Sequence, residues 1–231
     1  ASNLATGDVI DFIILLGDVL NIGAPSDDTV TASTVNNDFI SGQTALSATP
    51  DDTDEFLVSD AGTIKRVDYS LIKGGGITMA QQWRLSADFT GNADPIASNL
   101  EIVDTYGYGT LGSNMTESSG VFTFPSTGYY LIMAHHFIKN TNFERGATMN
   151  LNVTTDGSNF NNAGQSIASV SPSSSANTSN TSIMKYILDV TDTSTHKVSF
   201  SVNVVTTGST KTAGDTNFSE TTFTFIRLGD T

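Results

Sequence analysis

The sequence predicts an all-β sandwich, and three observations carry that expectation. Val198, Phe200, Val202 and Val204 alternate with Lys197, Ser199, Ser201 and Asn203, the period of two of a strand with one buried face. Phe122 and Phe124 flank Thr123, Pro125 stops the run, and aromatic and branched residues resume at Tyr129 after Gly128. That is the chemistry of two strands joined by a tight turn. Finally, only 15% of the 231 residues are charged, so the polar surface must come from Ser, Thr, Asn and Gly. Loop-rich β proteins have that balance.

The formal net charge is −14, which should repel nucleic acid and anionic membranes. With no cysteine, disulfides, thiol catalysis and cysteine-based zinc sites are excluded, and assembly in a reducing cytosol is favoured. Residues 9–20 form an apolar run that Asp11, Gly17 and Asp18 interrupt. The run falls short of the ~20 apolar residues that span a bilayer, and no basic residue precedes it. Neither membrane insertion nor a secretory signal is expected.

Taken in order, residues 1–48 hold short apolar clusters separated by Gly, Asp, Asn, Ser and Thr. Residues 8–16 could form a short helix, but the segment has too little core for an independent domain. It reads either as a tail ordered against another protein or as a thin stalk of wrapped copies. Phe12, Ile13, Ile14, Leu15 and Leu16 are costly to leave in water and are the candidate anchoring residues. Residues 49–54 make an acidic hinge, and 55–67 predict a β-hairpin about Asp60-Ala61-Gly62. A helical turn at 69–73 and the linker Gly74-Gly75-Gly76 complete a neck, with the domain boundary at residue 76.

Beyond it, strands are expected at 83–89, 100–104, 122–124, 129–136, 149–154, 183–190, 198–204 and 221–228. Residues 171–182 and 206–217 read as polar loops. The strand at 129–136 is apolar on both faces, so it is either covered on both sides or lies at a subunit contact.

The run Gly120-x-Phe122-x-Phe124-Pro125-x-x-Gly128-x-Tyr130 resembles the early strands of the C1q/tumour-necrosis-factor-like jelly roll. Residues 221–228 resemble the last strand of that family, and 83–89 the first, so the likeness spans residues 79–228. It implies a C1q-like jelly-roll head at 77–231. It also implies a homotrimer about a three-fold axis, with the aromatic strands, including Tyr130 and Phe225, at the contact. The flanking phrases resemble C1q-like heads of phage fibre and capsid-surface proteins. On that resemblance the chain is a virion protein assembled in a bacterial cytoplasm. Residues 1–48 would anchor it to other virion proteins or form the stalk, and residues 49–76 would be the neck. The head would adhere to the host surface or its glycans. The alternative is a capsid decoration or tail-assembly protein that binds no receptor.

Little in the sequence points to catalysis. His135 and His136 are adjacent and would face opposite ways in a strand, and no Gly-x-Ser-x-Gly elbow occurs. No enzyme activity and no cofactor are expected. Asp94, Glu101, Asp104 and Asp156 could offer oxygen ligands to Ca²⁺, or simply be solvated. Asn152, Asn177 and Asn217 begin Asn-x-Ser/Thr triplets, frequent by chance in so Ser/Thr-rich a chain. The loop aromatics Tyr106, Tyr108, Phe143 and Phe160 are the candidate ligand-binding residues, because sugars stack on rings and hydrogen-bond to neighbouring amides. Equally, such rings can plug neighbouring loops or subunit contacts.

Overall fold

The structure is a computed structural model that describes residues 6–7, 30, 35–36, 38–73, 76–140, 142–171 and 178–231. The expected anchor Phe12–Leu16 and the expected helix at 8–16 lie outside the described residues. The chain divides into two compact units, Ala1–Ile72 and Lys73–Thr231.

In the first unit, α1 (Asp38–Ser41) precedes a hairpin of β1 (Glu55–Asp60) and β2 (Thr63–Asp68), followed by α2 (Tyr69–Ile72). Ala61 and Gly62 make the turn with φ of 50° and 86°, the doubly left-handed pair that matches hairpin twist. Phe56 packs on Tyr69 with ring centroids 6.1 Å apart. Phe39, Ile40, Leu57, Ile64 and Leu71 remain exposed, and no described side chain of this unit is buried.

The second unit is built from β3 (Met79–Leu85), β4 (Ala87–Thr90), β5 (Leu100–Ile102), β6 (Thr116–Ser118), β7 (Val121–Thr123) and β8 (Gly128–Asn140). It continues with β9 (Glu144–Thr154), β10 (Asn161–Val170), β11 (Thr178–Val190), β12 (Lys197–Asn203), β13 (Lys211–Asp215) and β14 (Thr222–Gly229). One sheet runs β10-β9-β12-β7-β6; the other runs β4-β13-β8-β14-β3-β5, with β11 pairing β8. All pairings are antiparallel, and the chain alternates between sheets (β7 to β8, β8 to β9, β10 to β11, β11 to β12, β12 to β13). This two-sheet winding is a jelly roll, which joins two antiparallel sheets through a shared core.

The core between the sheets is aromatic. Trp83, Phe122, Phe200, Phe223 and Phe225 are buried, with Phe200 and Phe223 centroids 4.3 Å apart and Trp83 edge-on to Phe122 at 5.3 Å. Gly128 lets β8 start close under the end of β14. Its φ is 138°, and a Cβ there would lie 2.4 Å from the Gly229 carbonyl oxygen.

Several sequence expectations are corrected. Tyr130 and Phe225 are not at a surface: both are 0% exposed within a single chain. The Tyr130 ring packs 4.6 Å from Phe124 and its hydroxyl donates to the Ser126 carbonyl at 3.0 Å. Alternation puts even-numbered β8 residues inward, so the residues of that strand left for a partner are the odd ones. The strand expected at 83–89 breaks at Ser86 into β3 and β4. The polar stretch 206–217 contains β13, β11 begins at Thr178 inside the expected loop, and β10 and β6 were not anticipated.

Candidate functional site

On β9 and β12 the inward residues Met149, Leu151, Val198, Phe200 and Val202 fill the core. The outward ones, Asn150, Asn152, Ser199 and Ser201, therefore meet across the two strands: Ser199 pairs with Asn152, and Ser201 with Asn150. Asn162 donates to Asn150 Oδ1 at 2.9 Å, while Asn150 and Asn152 both donate to Ser201 Oγ, at 3.3 and 3.1 Å. Val121 of β7 pairs with Ser199 from the other side, so Val121, Ser199 and Asn152 form one cross-strand row.

This row floors a pocket of about 240 Å³ whose walls are Phe160, Asp94 and Pro95. Residues 93–96 are tied beside β12: Ala93 and Val202 exchange backbone hydrogen bonds of 3.0 and 2.8 Å, and the Ile96 N–H donates to Phe200 at 2.8 Å. Gly120 (φ 84°) lets this segment close in, since a Cβ there would sit 2.5 Å from the Ile96 carbonyl oxygen. The loop that carries Phe160 is folded around Asp156. Its carboxylate accepts from the Asn159 N–H (2.8 Å), Asn159 Nδ2 (2.6 Å), the Ser158 N–H (2.9 Å) and Thr154 Oγ1 (2.9 Å). These donors, Asn159 foremost, hold the carboxyl well below the usual range.

A second carboxylate does the same at the other end of β9. Glu144 is fully shielded and accepts from Gly146 (3.0 Å), Val205 (3.1 Å) and Thr206 (2.8 Å) N–H groups and from Thr210 Oγ1 (2.7 Å). Burial pushes its pKa up, but the hydrogen bonds, led by Thr210, outweigh this and lower it. Half-exposed Phe143 projects from this end, its carbonyl accepting from Thr206 Oγ1 at 2.9 Å. The eleven-residue strand β9, roughly 34 Å long, separates Phe143 from the loop of Phe160, so the two residues stand at opposite ends of it and belong to different sites.

Of the other two aromatics, Tyr106 is open to solvent, and Tyr108 lies against the opposite sheet. The Tyr108 hydroxyl accepts the Gln82 N–H, capping the β3 edge. Glu101 and Asp104 are ion-paired to fully buried Arg84 at 2.7 and 2.8 Å. Asp94 and Asp156 lie elsewhere, so the four carboxylates expected as Ca²⁺ ligands do not converge. Among the described residues no group of three or more His, Cys, Asp or Glu could hold a metal. His136 bonds Thr212 Oγ1 (3.1 Å) inside the sandwich, and His135 the Glu220 carbonyl (2.7 Å) on the outer face.

The outward face of the second sheet differs from the amide-rich face of the first. Ile187, Leu131, Ile226 and Ala80 align across β11, β8, β14 and β3 in one apolar row. Ile183, Ile187 and Tyr129 on the same face are exposed.

Of the pocket residues, Phe160 is expected from the sequence as a ligand-binding loop aromatic, Asp94 and Asn152 only in other roles, and Ser199, Val121 and Pro95 in none. The signal available for Ser199 was its outward phase on the clearest strand of the chain.

No protein-family model and no curated protein matches the chain. Among solved structures it is similar to Eiger TNF from S. frugiperda, with a TM-score of 0.49 and 11% identity over 68% of this chain and 96% of that one. It is also similar to murine APRIL at pH 5.0 (TM-score 0.45, 10% identity, 65% and 98% covered). A third is the globular domain of zebrafish complement 1qA protein (TM-score 0.44, 12% identity, 66% and 99% covered). The jelly roll itself follows from the strand order and registers of this chain.

Proposed function

We propose that the chain is the subunit of a homotrimeric, non-enzymatic phage fibre, on tail or capsid, whose C1q-like head adheres to the host surface or its glycans. Residues 1–48 anchor it to other virion proteins or form the stalk, and 49–76 make the neck. The observation that supports the assembly in this reading is the apolar row Ile187–Leu131–Ile226–Ala80 on a strongly acidic molecule. A partly exposed, contiguous apolar row of this kind suits an interaction surface, and a closed ring of copies covers it without open polymerisation. The exposed apolar residues of the first unit favour a partner there as well.

Sedimentation equilibrium tests the assembly. The expected species has three times the chain mass of 24.4 kDa across micromolar concentrations. Ile187→Glu, a change at an exposed position, should shift it to single chains that still melt cooperatively. A wild-type species at one chain mass would overturn the trimer. Adsorption tests adhesion: particles lacking the head should lose binding to host cells, and undiminished adsorption would leave a decorating role instead.

A further inference from the structure

We propose that the pocket between Phe160, Asp94 and the Asn152–Ser199–Val121 row is a subsite for one neutral pyranose ring of a glycan. The inference rests on the adhesion reading and names the chemistry of its ligand.

Polar groups inside the pocket are left with hydrogen-bonding capacity. Asn152 gives one amide N–H to Ser201, which leaves Oδ1 and the second N–H of its amide for a ligand. The Asp94 carboxylate has neither an ion pair nor a hydrogen bond among the described residues, and the Ser199 hydroxyl is likewise uncommitted. A ligand that satisfies a carboxylate, an amide and a hydroxyl together must both donate and accept, with O–H donors for Asp94, and a polyol does this. Carboxylated or sulfated sugars bring acceptors and negative charge to an unpaired Asp94 on a chain of net charge −14, so they are rejected.

Apolar surface supplies the rest. Phe160 offers a partly exposed ring, with Pro95 and Val121 beside it. A pyranose has one face of C–H groups for such a wall and a rim of hydroxyls for the polar floor. The volume of about 240 Å³ lies below the ~300 Å³ at which pockets start to hold drug-sized ligands, so it fits a single ring rather than an oligosaccharide.

The floor is rigid. Ser199 and Asn152 stand on paired central strands, Asp156 folds the Phe160 loop, and backbone hydrogen bonds to β12 hold residues 93–96. Preorganised groups of this kind lose little freedom on binding. One ring gives millimolar affinity, and several copies on one particle raise it by avidity.

The test is ligand-observed NMR on the 231-residue chain with methyl glucoside, methyl galactoside and N-acetylglucosamine, beside N-acetylneuraminic acid and tetramethylammonium. At least one neutral sugar should bind in the millimolar range, and the anionic sugar should not. Asp94→Asn and Phe160→Ala, both at exposed positions, should each weaken that sugar about tenfold while the melting temperature is unchanged. Phe143→Ala should leave it unaltered. If a neutral sugar binds equally well to both pocket variants, the subsite is elsewhere and the proposal fails while glycan adhesion stands. Preference for tetramethylammonium would also overturn it, in favour of a cation cage. If no sugar binds but the purified chain still attaches to cells, the sugar is refuted and adhesion survives. Absence of both sugar and cell binding would remove the adhesion reading with it.

Discussion

At the residue scale, polar groups in the second unit work by being placed where peptide N–H groups need an acceptor. Glu144 and Asp156 do so at the two ends of β9, each fixing a loop that presents a phenylalanine. His136 is the exception. It is fully buried, bonds Thr212 through Nε2, and leaves Nδ1 without a partner. Burial, reinforced by neighbouring His135, lowers its pKa from 6.5 to about 4. Because the unfolded chain takes up this proton first, acidification favours unfolding. The stabilisation from keeping His136 neutral is complete above about pH 6.5 and is lost progressively as pH falls to about 4. At about 1.4 kcal/mol per pH unit, the full loss is on the order of 3 kcal/mol. Chemical denaturation of the wild type between pH 7 and 4 should show this decline, and His136→Gln should flatten it. An equal slope in both proteins would assign the acid sensitivity to other groups.

At the element scale, strands were legible in the sequence where their inward residues are large and apolar. β7, β12 and β14 place Phe122, Phe200, Phe223 and Phe225 inward, and all were visible as alternation. β10 and β13 were not, because their buried residues are Ser166, Ala168, Val170, Thr212 and Ala213. Small and hydroxylated side chains satisfy a sandwich without leaving a hydrophobic period to read. The phase of β8 was ambiguous for the opposite reason: both of its faces are apolar, so only the structure separates core Tyr130 from outward Tyr129. The pocket was legible only in Phe160, since it draws Asp94, Val121, Asn152 and Ser199 from four distant stretches. The start of β8 is the element-level feature with the sharpest consequence. Gly128→Ala would force an L residue to φ 138° and drive a Cβ into the Gly229 carbonyl and the Arg227 guanidinium. Backbone strain plus overpacking should cost about 3 kcal/mol, seen as a melting temperature lower by roughly 6–12 °C. A loss under about 1 kcal/mol would mean that β14 and its tail shift freely.

At the scale of the whole chain, the two units contribute unequally to stability. Among the described residues every buried hydrophobic one, from Met79 to Phe225, belongs to the second unit, while the strands of the hairpin in the first are exposed along nearly their whole length. A sandwich of about 150 residues buries roughly two thirds of the surface its unfolded chain exposes, enough for a cooperative fold. A two-stranded hairpin with no covered face is marginal at best. A chain beginning at Gly76 should therefore unfold in one cooperative thermal transition, within a few degrees of the 231-residue chain measured at equal concentration. Residues 1–72 alone should show none. The comparison separates two roles for the first unit. If it serves only as an attachment, its removal leaves the transition where it was. If the shortened chain melts broadly or far lower, the first unit supplies part of the stability of the second, and the expected boundary at residue 76 cuts through a folding unit rather than a linker.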